Sequence, residues 1–278
     1  MKKINLVLIV FIVVFAFTSC SVERNIAYDF INTDVPVAVL INPPEQLLKL
    51  NDKTFEIPNI DSLSALEKDS ALLQNSVFLK NINDEKVIAK FYNAMLRQLN
   101  NSNIQVFTPD YINEFYACNK PSFVVDIVQL QLEEYYEQVD ESEIYPDESI
   151  FPEDIYLNAM AINVWLQITM VADTVNQPLL LFATDNITDA YKGSVRSYPY
   201  TNEVKYKSSK MPLKTDDVYS FSDILGYRFS TWIYDYFINR HIYAMMPKGS
   251  SPDYYYHYDP ERKTFLPANN STKFEIIQ

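Results

Sequence analysis

Glycine is almost absent: Gly193, Gly226 and Gly249 are the three in 278 residues, and they are widely separated. A phosphate cradle of the Gly-rich kind needs several neighbouring positions that only glycine tolerates, so loops of that class are excluded. Histidine is nearly as scarce, with His241 and His257 alone, and cysteine is limited to Cys20 and Cys118. That leaves too few soft ligands for a Cys/His zinc site, and no Gly-x-Ser-x-Gly elbow presents a nucleophilic serine. Positive charge is short as well: 23 Lys and Arg face 36 Asp and Glu, for a net charge of −13. A nucleic-acid partner would select a basic stripe, and none is present. The expectations are no catalytic residues, no cofactor, no metal and no nucleic acid.

What is present is the make-up of a globular chain, 48% apolar and 21% charged, long enough for one substantial domain. Lys2 and Lys3 precede an apolar run from Ile4 to Phe17, which ends in Thr18-Ser19-Cys20. The run falls short of the ~20 residues a membrane-spanning helix needs. A basic start, a short apolar stretch and small residues before a cleavage point make a secretory signal over 1–19. The cysteine directly after the small pair resembles the lipobox of bacterial lipoproteins, with Phe17 standing where most carry an aliphatic residue. The resemblance implies that Cys20 becomes the acylated N-terminus and joins the protein to the lipid bilayer. Ser21 follows it where an inner-membrane retention signal would have Asp, which by analogy implies the outer membrane. Residues 20–34 then read as a tether, and Cys118 as a small hydrophobe with no partner for a disulfide.

The body, 35–246, reads as a single α+β domain: a mixed, mostly antiparallel sheet with a long hairpin, and two main helices packed on one face. Val35 to Ile41 is a β-rich run with Pro36 near its start, suited to a first or edge-strand position. Residues 42–82 read as an insertion, with a short strand around 55–57 and a helix from Ser62 to Leu73. Asn83 caps a helix over 83–100, with Asp84 and Glu85 at its positive end and an apolar stripe through Ile88, Phe91, Met95 and Leu99. Strands follow at 104–107, 122–131, 158–172 and 179–185; the third holds a period of two from Met160 to Met170. A second helix over 222–241 carries Leu225, Phe229, Trp232, Ile233 and Phe237 on one stripe, with His241 as a cation at its end. This element order, with the Val37-Ala38-Val39-Leu40 first strand, resembles the small domain of curli-secretion-type lipoproteins, penicillin-binding-protein activator lipoproteins and the N-terminal domain of TolB. The resemblance implies a non-enzymatic envelope lipoprotein that binds or positions a protein partner.

Two further features bear on function. Ten carboxylates lie between 133 and 154 without a glycine among them, which reads as a solvated acidic loop rather than a calcium loop. Tyr254, Tyr255, Tyr256 and Tyr258 surround His257 in a Pro-bounded tail, 247–278. Rings with a wet hydroxyl suit a protein interface or sugar stacking, so these four are the candidate interaction surface, and a surface-exposed glycan-binding lipoprotein is the alternative function. Cys20→Ser is expected to abolish anchoring; the measurement is detergent-phase partitioning of the mutant, which should fall from the detergent to the aqueous phase.

Overall fold

The longest strand organises the chain. The structure, a computed structural model, describes residues 22–54, 57–140, 143–144, 150–151, 154–172, 178–198, 203–268 and 274–277. Strand β4 (Ser122–Asp140) pairs antiparallel with β7 (Asp154–Met170), β7 with β8 (Leu179–Thr188), and β8 with β13 (Glu275–Ile277). The other edge of β4 takes two strands end to end, both parallel: β1 (Ala38–Asn42) along 122–126 and β2 (Leu47–Asn51) along 130–134. Pro43 and Pro44 lie between them, where no ladder hydrogen bond is required. Strand β3 (Gln105–Phe107) closes that side, parallel to β1. The sheet is mixed, parallel on one side of β4 and antiparallel on the other.

A bulge in β4 sets its facing. The β4–β7 register shifts between Ile127 and Gln129, leaving Val128 unpaired and exposed. One extra residue inverts the alternation. Phe123, Val125 and Ile127 therefore join the same core as Leu130 and Leu132. Ahead of the bulge, Val124 meets a second, smaller core of Ala38, Leu40, Phe107 and Phe115. That is why Phe123, Val124 and Val125 are apolar at both parities.

Among the described residues five α-helices accompany the sheet: α1 (Val22–Asn32), α2 (Ala65–Asn75), α3 (Asp84–Asn100), α4 (Ile112–Tyr116) and α5 (Thr215–Met245). The Asn83 side chain accepts from the Lys86 amide at 2.8 Å, capping α3 as its sequence requires. Val87, Phe91, Met95 and Leu99 of α3 pack against Leu225, Phe229 and Ile233 of α5. The two helices cross at Gly226, where an added Cβ would stand 2.1 Å from the Phe91 carbonyl oxygen. Trp232 is partly buried against Phe229 and Phe274. The small helix α4 covers the opposite face near β1.

Three expectations need correction. Residues 22–32 of the expected tether form α1, whose Ala27 and Phe30 are buried in the main core beside the two main helices α3 and α5. The expected insertion at 42–82 contributes β2 to the main sheet, and its helix runs from Ala65; Phe55 and Glu56 of the expected strand there lie outside the described residues. The tail is structured: β11 (Tyr255–Asp259) and β12 (Thr264–Ala268) form a hairpin, and β13 extends the main sheet. The remaining strands are a hairpin of β9 (Ala190–Tyr198) and β10 (Glu203–Met211), and the short pair β5 (Glu143–Ile144) and β6 (Ile150–Phe151).

The C-terminal hairpin is fastened to α5 by an Asp and an Asn one turn apart. Asn239 donates to the Tyr256 carbonyl at 2.7 Å and accepts from the Tyr256 amide at 2.8 Å. Asp235 accepts from the Tyr258 amide at 2.8 Å and meets His257 Nδ1 at 2.9 Å. From α1, Glu23 accepts from the Asp253 amide and Arg24 donates to the Phe265 carbonyl. Tyr256 is 2% exposed and Tyr254 42%. Tyr256→Ala should accordingly cost about 3–5 kcal/mol in denaturant unfolding, and Tyr254→Ala about 0.5 kcal/mol or less.

Candidate functional site: a tyrosine and amide cleft

The four candidate tyrosines do not form one free surface. Tyr256 fills the core against Phe265, Tyr258 packs on Phe265 and Tyr234, and Tyr255 stacks edge-on with His257. Burial, then the nearby Asp235 carboxylate, pushes the Tyr255 hydroxyl well above its ordinary range. Tyr254 is exposed. For Tyr256 the interface expectation is corrected, because its ring is taken up by the domain's own core. Cys20 lies outside the described residues.

Closing the hairpin creates a cleft. Tyr28, Ile31 and Asn32 of α1 form one wall, and Tyr227, Thr231 and Tyr234 of α5 a second. Gln98 of α3 and the Asn101-Ser102-Asn103 turn form the floor, and Tyr258, Pro260, Glu261 and Lys263 of the β11–β12 turn the far rim. The volume is about 660 Å³. Asn103 is a structural post: it donates to the Phe30 and Thr33 carbonyls and accepts from the Tyr234 hydroxyl at 2.6 Å. Burial raises the Tyr234 pKa, so this hydroxyl stays protonated and donating. By contrast, the side chains of Asn32, Gln98 and Asn101 take no hydrogen-bond partner among the described residues. The rim turn is held by Asp259, which accepts from the Glu261 and Arg262 amides. Lys263 closes it at φ 50°, a backbone region that suits glycine better.

Charged chemistry lies elsewhere and is consumed internally. Lys53 and Glu134 have no exposed side-chain surface and meet at 2.8 Å. Lys53 also donates to Asn158 Oδ1 at 2.7 Å and stands 4.2 Å from the Tyr136 ring centre. Glu134 accepts in addition from the amides of Val77, Phe78 and Leu79. Asn158 donates onward to Asp189, which also takes the Leu213 amide and the Lys210 ammonium. Burial pushes the Asp189 carboxyl up, but Lys210, Leu213 and Asn158 outweigh it and hold it below the ordinary value. Glu134 thus sits in a strand and not in the expected solvated loop; the side chains of 140–154 lie outside the described residues. The reading of His241 is corrected too. The His241 ring packs on Phe30, and burial lowers its pKa, with α5 running on to Met245; His257 pairs with Asp235. Among the described residues no group of three or more His, Cys, Asp or Glu is placed to hold a metal. Cys118 is half-buried against the second core.

No known protein family matches the chain, and no curated protein does. Solved structures include a similar chain. It is a neuraminyllactose-binding hemagglutinin homolog from Helicobacter pylori, 12% identical, with a TM-score of 0.27, covering 76% of this chain and 88% of its own. Likeness at that level carries no argument about this chain.

The cleft residues were not legible as a group, because they come from four separated segments. A signal existed for part of it. Asp235 and Asn239 sit on the apolar side of α5, where helix geometry leaves their polar atoms needing partners from another segment. For the buried ion pair, removing one partner strands the other charge. Lys53→Ala should cost about 3–5 kcal/mol in chemical denaturation, far more than loss of the exposed Lys68–Asp61 pair, which should cost about 1 kcal/mol or less.

Proposed function

We propose that this chain is a lipid-anchored, non-catalytic binding protein of the cell envelope, held at the outer membrane through Cys20, and that the cleft between α1, α5 and the C-terminal hairpin receives a glycan. The cleft carries this reading. Tyr28, Tyr227, Tyr234 and Tyr258 line it, a residue type that packs on the C–H faces of a pyranose ring, and the side-chain amides of Asn32, Gln98 and Asn101 can donate and accept toward hydroxyls. A few placed polar groups among aromatic walls are the usual make-up of a small-molecule site. Rim charge is limited to Glu261 and Lys263, which suits an uncharged or weakly charged ligand.

A protein partner is the second reading, supported by the uncovered face of the sheet. Trp165 and Phe182 lie there with ring centres 4.8 Å apart, beside a hydrogen-bonded series through Glu133, Asn163 and Thr184. On the strands β4, β7, β8 and β13 this face presents Asp126, Glu133, Glu137 and Glu275 and no Lys, Arg or His among the described residues. Such a face suits a cationic protein surface.

The deciding experiment applies the purified domain to an array of neutral and anionic oligosaccharides. Binding to at least one saccharide is expected, weakened about tenfold or more by Tyr227→Ala or by Gln98→Ala with Asn101→Ala, with the melting temperature retained. A blank array from folded protein, or affinity unchanged in both variants, would overturn the glycan reading.

A further inference from the structure

The anchor and the first helix are almost contiguous. One residue, Ser21, separates Cys20 from Val22, the first residue of α1. Even fully extended, the chain advances only ~3.3–3.6 Å per residue, so the Val22 Cα lies within about 7 Å of the Cys20 Cα. The headgroup layer of a bilayer is itself about 5–7 Å deep on each side. Since α1 is fixed in the main core through Ala27 and Phe30, an acylated Cys20 has no slack with which to hold the domain clear of the surface.

Other exposed apolar side chains gather at that same end. Glu23 accepts from the Asp253 amide, which puts the start of β11 beside the start of α1. Strand β11 runs antiparallel to α5, with Tyr258 at Asp235 and Tyr256 at Asn239. Two strand residues and four helix residues each advance about 6–7 Å, so Tyr254 lies level with about residue 243 of α5. Val22, Tyr243, Met245 and Tyr254 are 46%, 70%, 61% and 42% exposed. The charge changes here as well. The chain has no Asp or Glu from Tyr236 to Pro252, in a protein of net charge −13, and Lys248 stands against Asp253 in the local balance.

We propose that this end, formed by the start of α1, the end of α5 and the start of β11, is a bilayer-contact surface. Tyr243, Met245 and Tyr254 seat in the headgroup layer when Cys20 is acylated. Tyrosine suits that layer because its ring is apolar and its hydroxyl wet. The acid-free stretch lets this end approach an anionic leaflet that repels the remainder of the molecule. The inference rests on the lipid-anchoring part of the proposed function and is independent of the glycan.

The test uses full-length acylated protein in vesicles of phosphatidylethanolamine and phosphatidylglycerol, with and without brominated acyl chains. Tyr243→Trp and Tyr254→Trp should each add fluorescence that the brominated lipid quenches about twofold or more, and Tyr116→Trp, exposed on α4, should add fluorescence that is not quenched. Mass spectrometry of the N-terminal peptide accompanies each preparation. Equal quenching at 116, 243 and 254 with Cys20 acylated overturns the contact surface and leaves the anchor standing. An unmodified Cys20 removes the anchor and the contact surface together.

Discussion

A carboxylate and an ammonium with no exposed surface can persist only if each is the other's counter-ion and every remaining polar atom is bonded. Lys53 and Glu134 meet that condition, and the far half of the sheet is arranged around them. Glu134 stands past the bulge of β4 on the helix-facing side, opposite Met160 of β7. Its carboxylate collects three successive amides from the turn at 77–79, which fixes the route from α2 into α3. Lys53 arrives from the end of β2 and bridges to Asn158 on β7. Asn158 holds Asp189 at the corner between β8 and β9, and Asp189 in turn holds Leu213 just before α5. One line of buried polar bonds therefore ties segments distant in sequence at this end of the sheet, beside the contact of α2 with Asn51.

The bulge at Val128 serves the same arrangement. Without it, Glu134 would face outward with Glu133 facing the core, and the apolar pair Leu130 and Leu132 would be exposed. With it, one strand of 19 residues serves two neighbours in succession, β1 before the bulge and β2 after it. The uncovered face is the complement of this choice. Its amides, hydroxyls and carboxylates bond to one another across strands, as in the series through Glu133, Asn163 and Thr184, which keeps a broad polar surface in register.

Elements whose signals are local were legible. Helix α3 carries its own cap in Asn83 and its own stripe, and the alternation from Met160 to Met170 depends only on one face being covered. Elements defined by a distant partner were not. Helix α1 lies next to a signal-like segment and has only Ala27 and Phe30 to announce a buried face. The first turns of α5, Thr215 to Phe221, look polar because Asp216 and Asp217 serve the helix dipole there. The tyrosine run looked like a free surface because its polar complement, Asp235 and Asn239, sits on another element. Glu134 was counted with an acidic loop since nothing in its neighbourhood indicates that Lys53 lies opposite.

Helix α1 and the C-terminal hairpin fold onto one helix, and this joins the proposed site to the proposed anchor. Both α1 and the C-terminal hairpin are walls of the cleft, and both are fastened to α5 through Tyr234, Asp235 and Asn239. Tyr28 and Asn32 follow Val22 by six and ten residues on a helix that rises ~1.5 Å per residue, or roughly 9–15 Å. Under the anchoring proposed here, with up to ~7 Å more between Cys20 and Val22, α1 can raise its wall of the cleft at most about 16–22 Å above the acylated residue. A ligand there is met close to the membrane plane, so saccharides attached to the surface itself are geometrically favoured over soluble ones that must diffuse under the domain. Because Asp235 is buried, its carboxyl is pushed up, and the amide of Tyr258 and His257 Nδ1 oppose that rise. The same side chain therefore decides how firmly the hairpin wall is held, which makes the shape of the cleft depend on a bond between α5 and the last strands of the chain.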